Sequence, residues 1–237
     1  MRATALVTGG ARGIGRAVVD ALAPDAWVAA LDVASPTPPA GVGTALEVDV
    51  RDPAALERAV AQVIAERGGL DWVVCCAGIV RDRVSWKMSD AEWGDVLDVN
   101  LTGAFRTARA ALGALRASPR GRLVFVSSIN GLRGRFGQAN YAASKAGLTG
   151  LGRTLALELA RDGVTVNVVA PGYIDTEMTR ALPADARDRA VARTPLQRMG
   201  RSEEVAALVR FLCSDAAGFI TGTVIPVDGG QLLGAVN

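Results

Sequence analysis

The chain has 237 residues, 50% of them apolar and 21% charged, and it contains no histidine. That length accommodates one domain around a single buried core. Lys and Arg outnumber Asp and Glu by only 26 to 24, so a net charge of +2 points to neither nucleic acid nor a membrane surface as a partner. The missing histidine excludes a Ser-His-Asp hydrolase, a histidine-ligated metal site and a dehydrogenase that relays its proton through imidazole. Acid–base chemistry falls to Tyr, Lys, Cys, Asp or Glu, and no metal site is expected. Cys75, Cys76 and Cys213 are expected as reduced core residues. With no leader pattern and no run of ~18 apolar residues, the sequence predicts a soluble, cytoplasmic protein.

In chain order, continuously apolar runs at 5–8, 27–31, 44–48, 72–76, 123–127, 165–169 and 223–227 predict strands covered on both faces. Helical patterns fall between them at 14–22, 53–66, 90–117, 139–161 and 203–213. Asp52 before Pro53 is an N-cap with a first-turn proline, and Ser89 with Glu92 fits a capping box. The crossover at 32–43, with three prolines and two glycines, predicts an extended loop in place of a helix. Strand–helix alternation predicts an α/β fold: a doubly wound parallel sheet (Rossmann-like) of about seven strands, helices on both faces, in one domain spanning 1–237.

The first strand runs into Thr8-Gly9-Gly10-Ala11-Arg12-Gly13-Ile14-Gly15 and then a helix. Glycines there allow a sharp turn and close approach of a pyrophosphate, which the helix's free N–H groups attract. That placement predicts a dinucleotide site with Gly9, Arg12, Gly13, Ile14 and Gly15 on it. No Gly-Lys-Ser/Thr ending supports a P-loop hydrolase. Asp32 ends the second strand, 23 residues after Gly9, where a carboxylate accepts hydrogen bonds from an adenosine ribose. NAD(H) is therefore expected over NADP(H), although Arg12 is able to reach a 2′-phosphate and keeps NADP(H) open.

Tyr141 and Lys145 lie four apart on a predicted helix and share a face, and Ser128 follows a strand at the sheet's carboxyl edge. A phenol with a pKa of ~10 carries protons poorly at neutral pH. A neighbouring ammonium and an oxidised nicotinamide both favour the phenolate, and lowering its pKa to ~7 needs roughly 4 kcal/mol.

These motifs resemble the short-chain dehydrogenase/reductase family along nearly the whole chain. The glycine loop matches its T-G-x-x-x-G-x-G, Tyr141 and Lys145 match its Y-x-x-x-K, and Ser128 stands 13 residues before the tyrosine. Asn100, the run from Pro171 to Met178 and the tail Val227-Asp228-Gly229-Gly230 match further family signatures. The resemblance implies Tyr141 as general acid or base and Ser128 as the group orienting the carbonyl oxygen. It implies Lys145 as ligand of the nicotinamide ribose and depressor of the tyrosine pKa, and Asn100 as holder of a water reaching Lys145. It places Asp49 and Val50 beside the adenine, Pro171 and Gly172 along the nicotinamide, and Ile174 and Thr176 at its carboxamide. Cys76-Ala77-Gly78 stands where the family has Asn-Ala-Gly, a thiol being the weaker hydrogen-bonding partner.

Within the family, 139–147 and 170–182 are most similar to 3-oxoacyl-[acyl-carrier-protein] reductases, which implies an acyl-thioester substrate, with an acidic acyl carrier protein as the candidate carrier. An NAD-dependent secondary alcohol or diol dehydrogenase is the alternative, and a non-catalytic nucleotide sensor a third reading. The 173–200 segment, with Arg180, Arg187, Arg189, Arg193 and Arg198, is expected to form a substrate lid. The resemblance also implies a homotetramer built through the helices at 90–117 and 139–161 and the C-terminal strand.

Overall fold

The computed structural model describes residues 2–34, 43–180 and 183–234. Its seven apolar strands are β1 (Ala3–Thr8), β2 (Ala26–Asp32), β3 (Gly43–Glu47), β4 (Trp72–Cys75), β5 (Arg122–Val126), β6 (Thr165–Pro171) and, last in the sheet, Val224–Val227. They form one sheet in the order β3-β2-β1-β4-β5-β6 followed by Val224–Val227, every neighbouring pair parallel. Successive residues of a strand face opposite sides. Leu6, Val73 and Phe125 accordingly enter one core, and Val7, Val74 and Val124 the other. The strand order reverses between β1 and β4, and open sheets of this kind bind ligands outside the carboxyl ends of the strands at that point.

Helices α1 (Gly13–Leu22), α2 (Pro53–Arg67), α3 (Asp90–Leu97) and α4 (Gly103–Ala117) cross between strands. The caps form as their residues dictate: the Asp52 carboxylate accepts from the N–H groups of Ala54 and Ala55, and Ser89 and Glu92 close a capping box. The single helix expected over 90–117 is instead α3 and α4 joined by a π turn, Asp98–Thr102, which carries the buried Asn100. Beyond them lie α5 (Asn130–Arg133) and α6 (Ala139–Leu159). α2, α4 and α6 pack on one face of the sheet, and α1 on the other.

The segment 174–201 after β6 holds short elements. β7 (Ile174–Asp175) pairs in parallel with β8 (Gly200–Arg201), and α7 (Glu177–Arg180) and α8 (Ala184–Ala192) lie between them. α9 (Ser202–Cys213) then packs against α1, and β9 (Val224–Val227) closes the sheet. Of the crossover expected to be an extended loop, residues 35–42 lie outside the described residues, as do 181–182 of the expected lid.

Candidate active site

A cleft of about 660 Å³ opens along the carboxyl ends of the central strands. The chain leaves β1 through Gly9, whose φ of 69° suits glycine, and a Cβ there would come within 2.8 Å of the Ala77 backbone nitrogen. At Gly15 a Cβ would collide with the Gly9 carbonyl oxygen. α1 begins at Arg12 with no side-chain cap, which leaves its first-turn N–H groups for a ligand, and Gly13, Ile14 and Gly15 line the cleft. This glycine cradle with an uncapped helix end fits a dinucleotide pyrophosphate.

The remaining nucleotide-site residues expected from the sequence also line the cleft. Asp32 closes it at the end of β2 and Asp49 and Val50 follow β3; Cys76, Ala77 and Gly78 follow β4. Pro171, Gly172, Ile174 and Thr176 line it as well, with Thr176 beside Gly13. Arg12 reaches across to Glu177 at 3.9 Å. The Asp49 carboxylate is held low by a two-pronged Arg51 guanidinium, with contacts of 2.6 and 3.0 Å. Burial pushes the Cys76 thiol up to about 12, so it stands in the cleft as a neutral group.

Ser128, Tyr141 and Lys145 share one wall. Ser128 is 8% exposed and accepts from the Asn130 N–H at 3.1 Å. α6 carries Tyr141 and Lys145 a turn apart, and Ser127 ties that turn to β5 by donating to the Lys145 carbonyl at 2.7 Å. Lys145 is buried, and its Nζ donates to the Val126 carbonyl at 2.8 Å while standing 5.8 Å from the Tyr141 ring centre. Burial lowers its pKa to about 8, with the Cys76 and Cys75 thiols acting in the opposite sense.

Burial raises the Tyr141 pKa; the nearby Ser128 hydroxyl lowers it, Asp82 raises it and Arg135 lowers it. Asn100 stands beside Lys145: a Cβ on Gly78 would lie 3.4 Å from Asn100 Oδ1 and 3.5 Å from Lys145 Nζ. The asparagine lies off the cleft and fully buried, its Oδ1 accepting from the Ile79 N–H at 2.8 Å and its Nδ2 donating to the Ile79 carbonyl and to Ser144 Oγ. Its side chain thus clamps the turn after β4 to α6.

Some residues of the site carry no sequence motif. Gln138 Nε2 donates to both oxygens of Asp82 at 3.0 Å, and Asn130 Nδ2 donates to Gln138 Oε1 at 3.0 Å. This amide chain ends at the backbone N–H that holds Ser128. Arg51, Ile79 and Val99 line the cleft as well, placed there by neighbours that the motifs do mark.

A family model described as enoyl-(acyl carrier protein) reductase matches residues 9–231. The 3-oxoacyl-[acyl-carrier-protein] reductase FabG of Escherichia coli K12 is 42% identical over 97% of this chain and 97% of its own. The 3-oxoacyl-[acyl-carrier-protein] reductase MabA of Mycobacterium tuberculosis H37Rv is 44% identical over 97% of this chain and 92% of its own. The crystal structure of gox2181 superposes with a TM-score of 0.91 at 35% identity, covering 98% of this chain and 96% of that one.

The expected preference for NAD(H) is corrected by these relatives, because the FabG and MabA reductases depend on NADPH. The geometry supplies a reason why Asp32 misleads. Its Oδ2 accepts from the Ala11 N–H at 3.0 Å and its Oδ1 from the Ala34 N–H at 3.3 Å. The carboxylate braces the glycine loop and the turn after β2, while the Arg12 guanidinium stands largely exposed on the same cleft.

Proposed function

The chain belongs to the short-chain dehydrogenase/reductase family, and from that premise we propose that this NAD(P)-dependent oxidoreductase reduces the 3-keto group of 3-oxoacyl thioesters presented by an acyl carrier protein, with NADPH as reductant. The observation that carries this reading is the convergence of Ser128, Tyr141 and Lys145 on one wall of the glycine-loop cleft. A nicotinamide bound there supplies the hydride. Tyr141 donates its hydroxyl proton to the carbonyl oxygen as that oxygen gains charge, and Ser128 holds the oxygen by hydrogen bond. Lys145, anchored on the Val126 carbonyl, offers its remaining N–H donors to the nicotinamide ribose. Asn100 keeps α6 and the turn after β4 in register, so that the lysine and the cleft floor stay aligned.

Gly9, Gly13, Ile14 and Gly15 take the pyrophosphate, Arg12 the adenosine phosphate, and Asp32, Asp49 and Val50 border the adenosine. Cys76, Ala77 and Gly78 floor the cleft; Pro171, Gly172, Ile174 and Thr176 border the nicotinamide. The 173–200 segment is proposed as the lid over the acyl chain, within a single domain. All three cysteines are free, which supports a reducing compartment such as the cytoplasm. Among the described residues no helix is long and apolar enough to cross a membrane.

The test compares four activities of the purified protein: reduction of acetoacetyl-acyl-carrier-protein with NADPH and with NADH, reduction of a crotonyl thioester, and NAD-linked oxidation of secondary alcohols and diols. The highest kcat/KM is expected for the 3-oxoacyl thioester with NADPH. Faster crotonyl reduction would favour an enoyl reductase, and turnover of alcohols alone would defeat the thioester reading. Tight NADPH binding without turnover of any of them would make the protein a nucleotide sensor.

A further inference from the structure

The arginines around the substrate end of the cleft divide by partner. Arg180 pairs with Asp175, Arg189 with Asp185 and Arg198 with Glu204, so these lid charges are balanced where they stand. Arg133, Arg135 and Arg193 make no ion pair with a carboxylate among the described residues. Arg135 and Arg193 both lie within charge range of Arg133 and, with burial, weaken its hold on its proton. The acid facing Arg133 is Asp228, and both its oxygens are taken by backbone donors, Gly230 N–H at 3.0 Å and Leu232 N–H at 2.8 Å.

The loop after α5 holds this cluster in place. Arg133 donates to the Gln231 carbonyl at 3.2 Å. Arg135 lies 5.4 Å over the Tyr173 ring centre and donates to its hydroxyl at 3.3 Å, next to the cleft residue Gly172. Its charge is felt by the Tyr141 phenol. The next residue, Phe136, is 84% exposed and meets Trp86, 76% exposed, edge to face at 6.4 Å. A guanidinium that is not paired with a carboxylate gains a charge-assisted partner when an anion enters. An apolar step beside that cation suits a ligand with an uncharged arm and an anionic end.

We propose that Arg135 on Tyr173, backed by Arg133 and Arg193, binds the phosphodiester end of the pantetheine arm that presents the thioester, with the Trp86–Phe136 pair under the arm's uncharged part. This rests on the acyl-thioester reading and names how that substrate's carrier arm is recognised. The experiment is isothermal titration of the protein saturated with NADP+, using 4′-phosphopantetheine and pantetheine as probes. The phosphorylated probe is expected to bind about tenfold tighter or more, as charged hydrogen bonds allow. R135Q is expected to erase that preference, and R135K to keep part of it as a point cation. If R135Q fails to bind NADP+, R193Q provides the same readout from the end of α8.

Equal affinity for the two probes in the wild type, or a preference that survives R135Q and R193Q, overturns the proposal. Arg135-dependent binding of acetoacetate without any preference for 4′-phosphopantetheine also overturns it, and assigns the cations to a substrate carboxylate. Failure of the reductase reading shows elsewhere, as no NADPH-dependent turnover of S-acetoacetyl-pantetheine, which lacks the phosphate.

Discussion

Lys145 is a buried cation whose Nζ has one hydrogen bond, to the Val126 carbonyl. Burial lowers its pKa to about 8 from 10.5, so between those values the unfolded chain binds more protons than the folded one. Stability therefore rises with pH over that window, and the cost of burying the ammonium is fully present below it. The buried thiols act oppositely: their pKa values lie above 9.0 when folded, and stability is lost as pH rises past 9.0. The difference between wild type and K145M isolates the lysine. Denaturant unfolding from pH 7 to pH 10 is expected to show the wild type gaining on K145M, by roughly 1.4 kcal/mol for each unit of pKa difference; parallel curves would refute it. Tyr141 answers to a different measurement. Removing its hydroxyl by Y141F is expected to lower kcat by at least about 10²-fold while the Kd for NADPH changes little, because the ring still packs and only the proton is lost. Turnover near the wild-type level would remove Tyr141 from its assigned role.

Among the elements, α2 shows how local chemistry sets a boundary. Asp52 caps two N–H groups at 2.9 and 3.1 Å, Pro53 opens the first turn, and Gly68 ends the helix in the left-handed region. Asp52→Ala is expected to cost about 1 kcal/mol, a fall in Tm of about 2–4 °C for a chain of this size. Thermal unfolding checks it, and an unchanged Tm would show that water caps the helix equally well. The same kind of signal made the sheet legible: continuous apolar runs such as Leu123 to Val126 have no other use than a strand covered on both faces. Where the signal is absent, the physics is non-local. α5 is four residues long and β7 two, too short for any period, and the π turn at Asn100 is a change of backbone register with no residue preference to announce it. Ser128, Tyr141 and Lys145 were legible because their spacing is local to one strand and one helix. The Asp82–Gln138–Asn130 chain and the Arg133–Arg193 approach join residues that only the fold brings together. Asp32 was legible in position and misleading in use, since nothing in its spacing shows that it also braces the glycine loop through the Ala11 N–H.

For the molecule as a whole, the surface that is not accounted for by one chain is apolar. Phe105 on α4 and Leu157 on α6 point outward at 41% and 81% exposure, although both helices already bury another face against the sheet. At the sheet's edge β9 is only half-buried, and Phe219 just before it is fully exposed. Single exposed apolar residues are ordinary; for these helix faces and the open strand edge together we propose that further copies of the chain cover them. The expected assembly is a homotetramer with two kinds of contact, one through α4 and α6 and one through β9. Light scattering after gel filtration is expected to give about four times the chain mass of 24.5 kDa. L157E, which places a charge in the helical contact, is expected to yield dimers, and F219E to yield dimers by opening the other contact. The double substitution would then leave monomers, since each change removes one of two independent interfaces. A wild-type protein that sizes as a monomer would rule out the assembly, and L157E that remains tetrameric would move the contact away from α6.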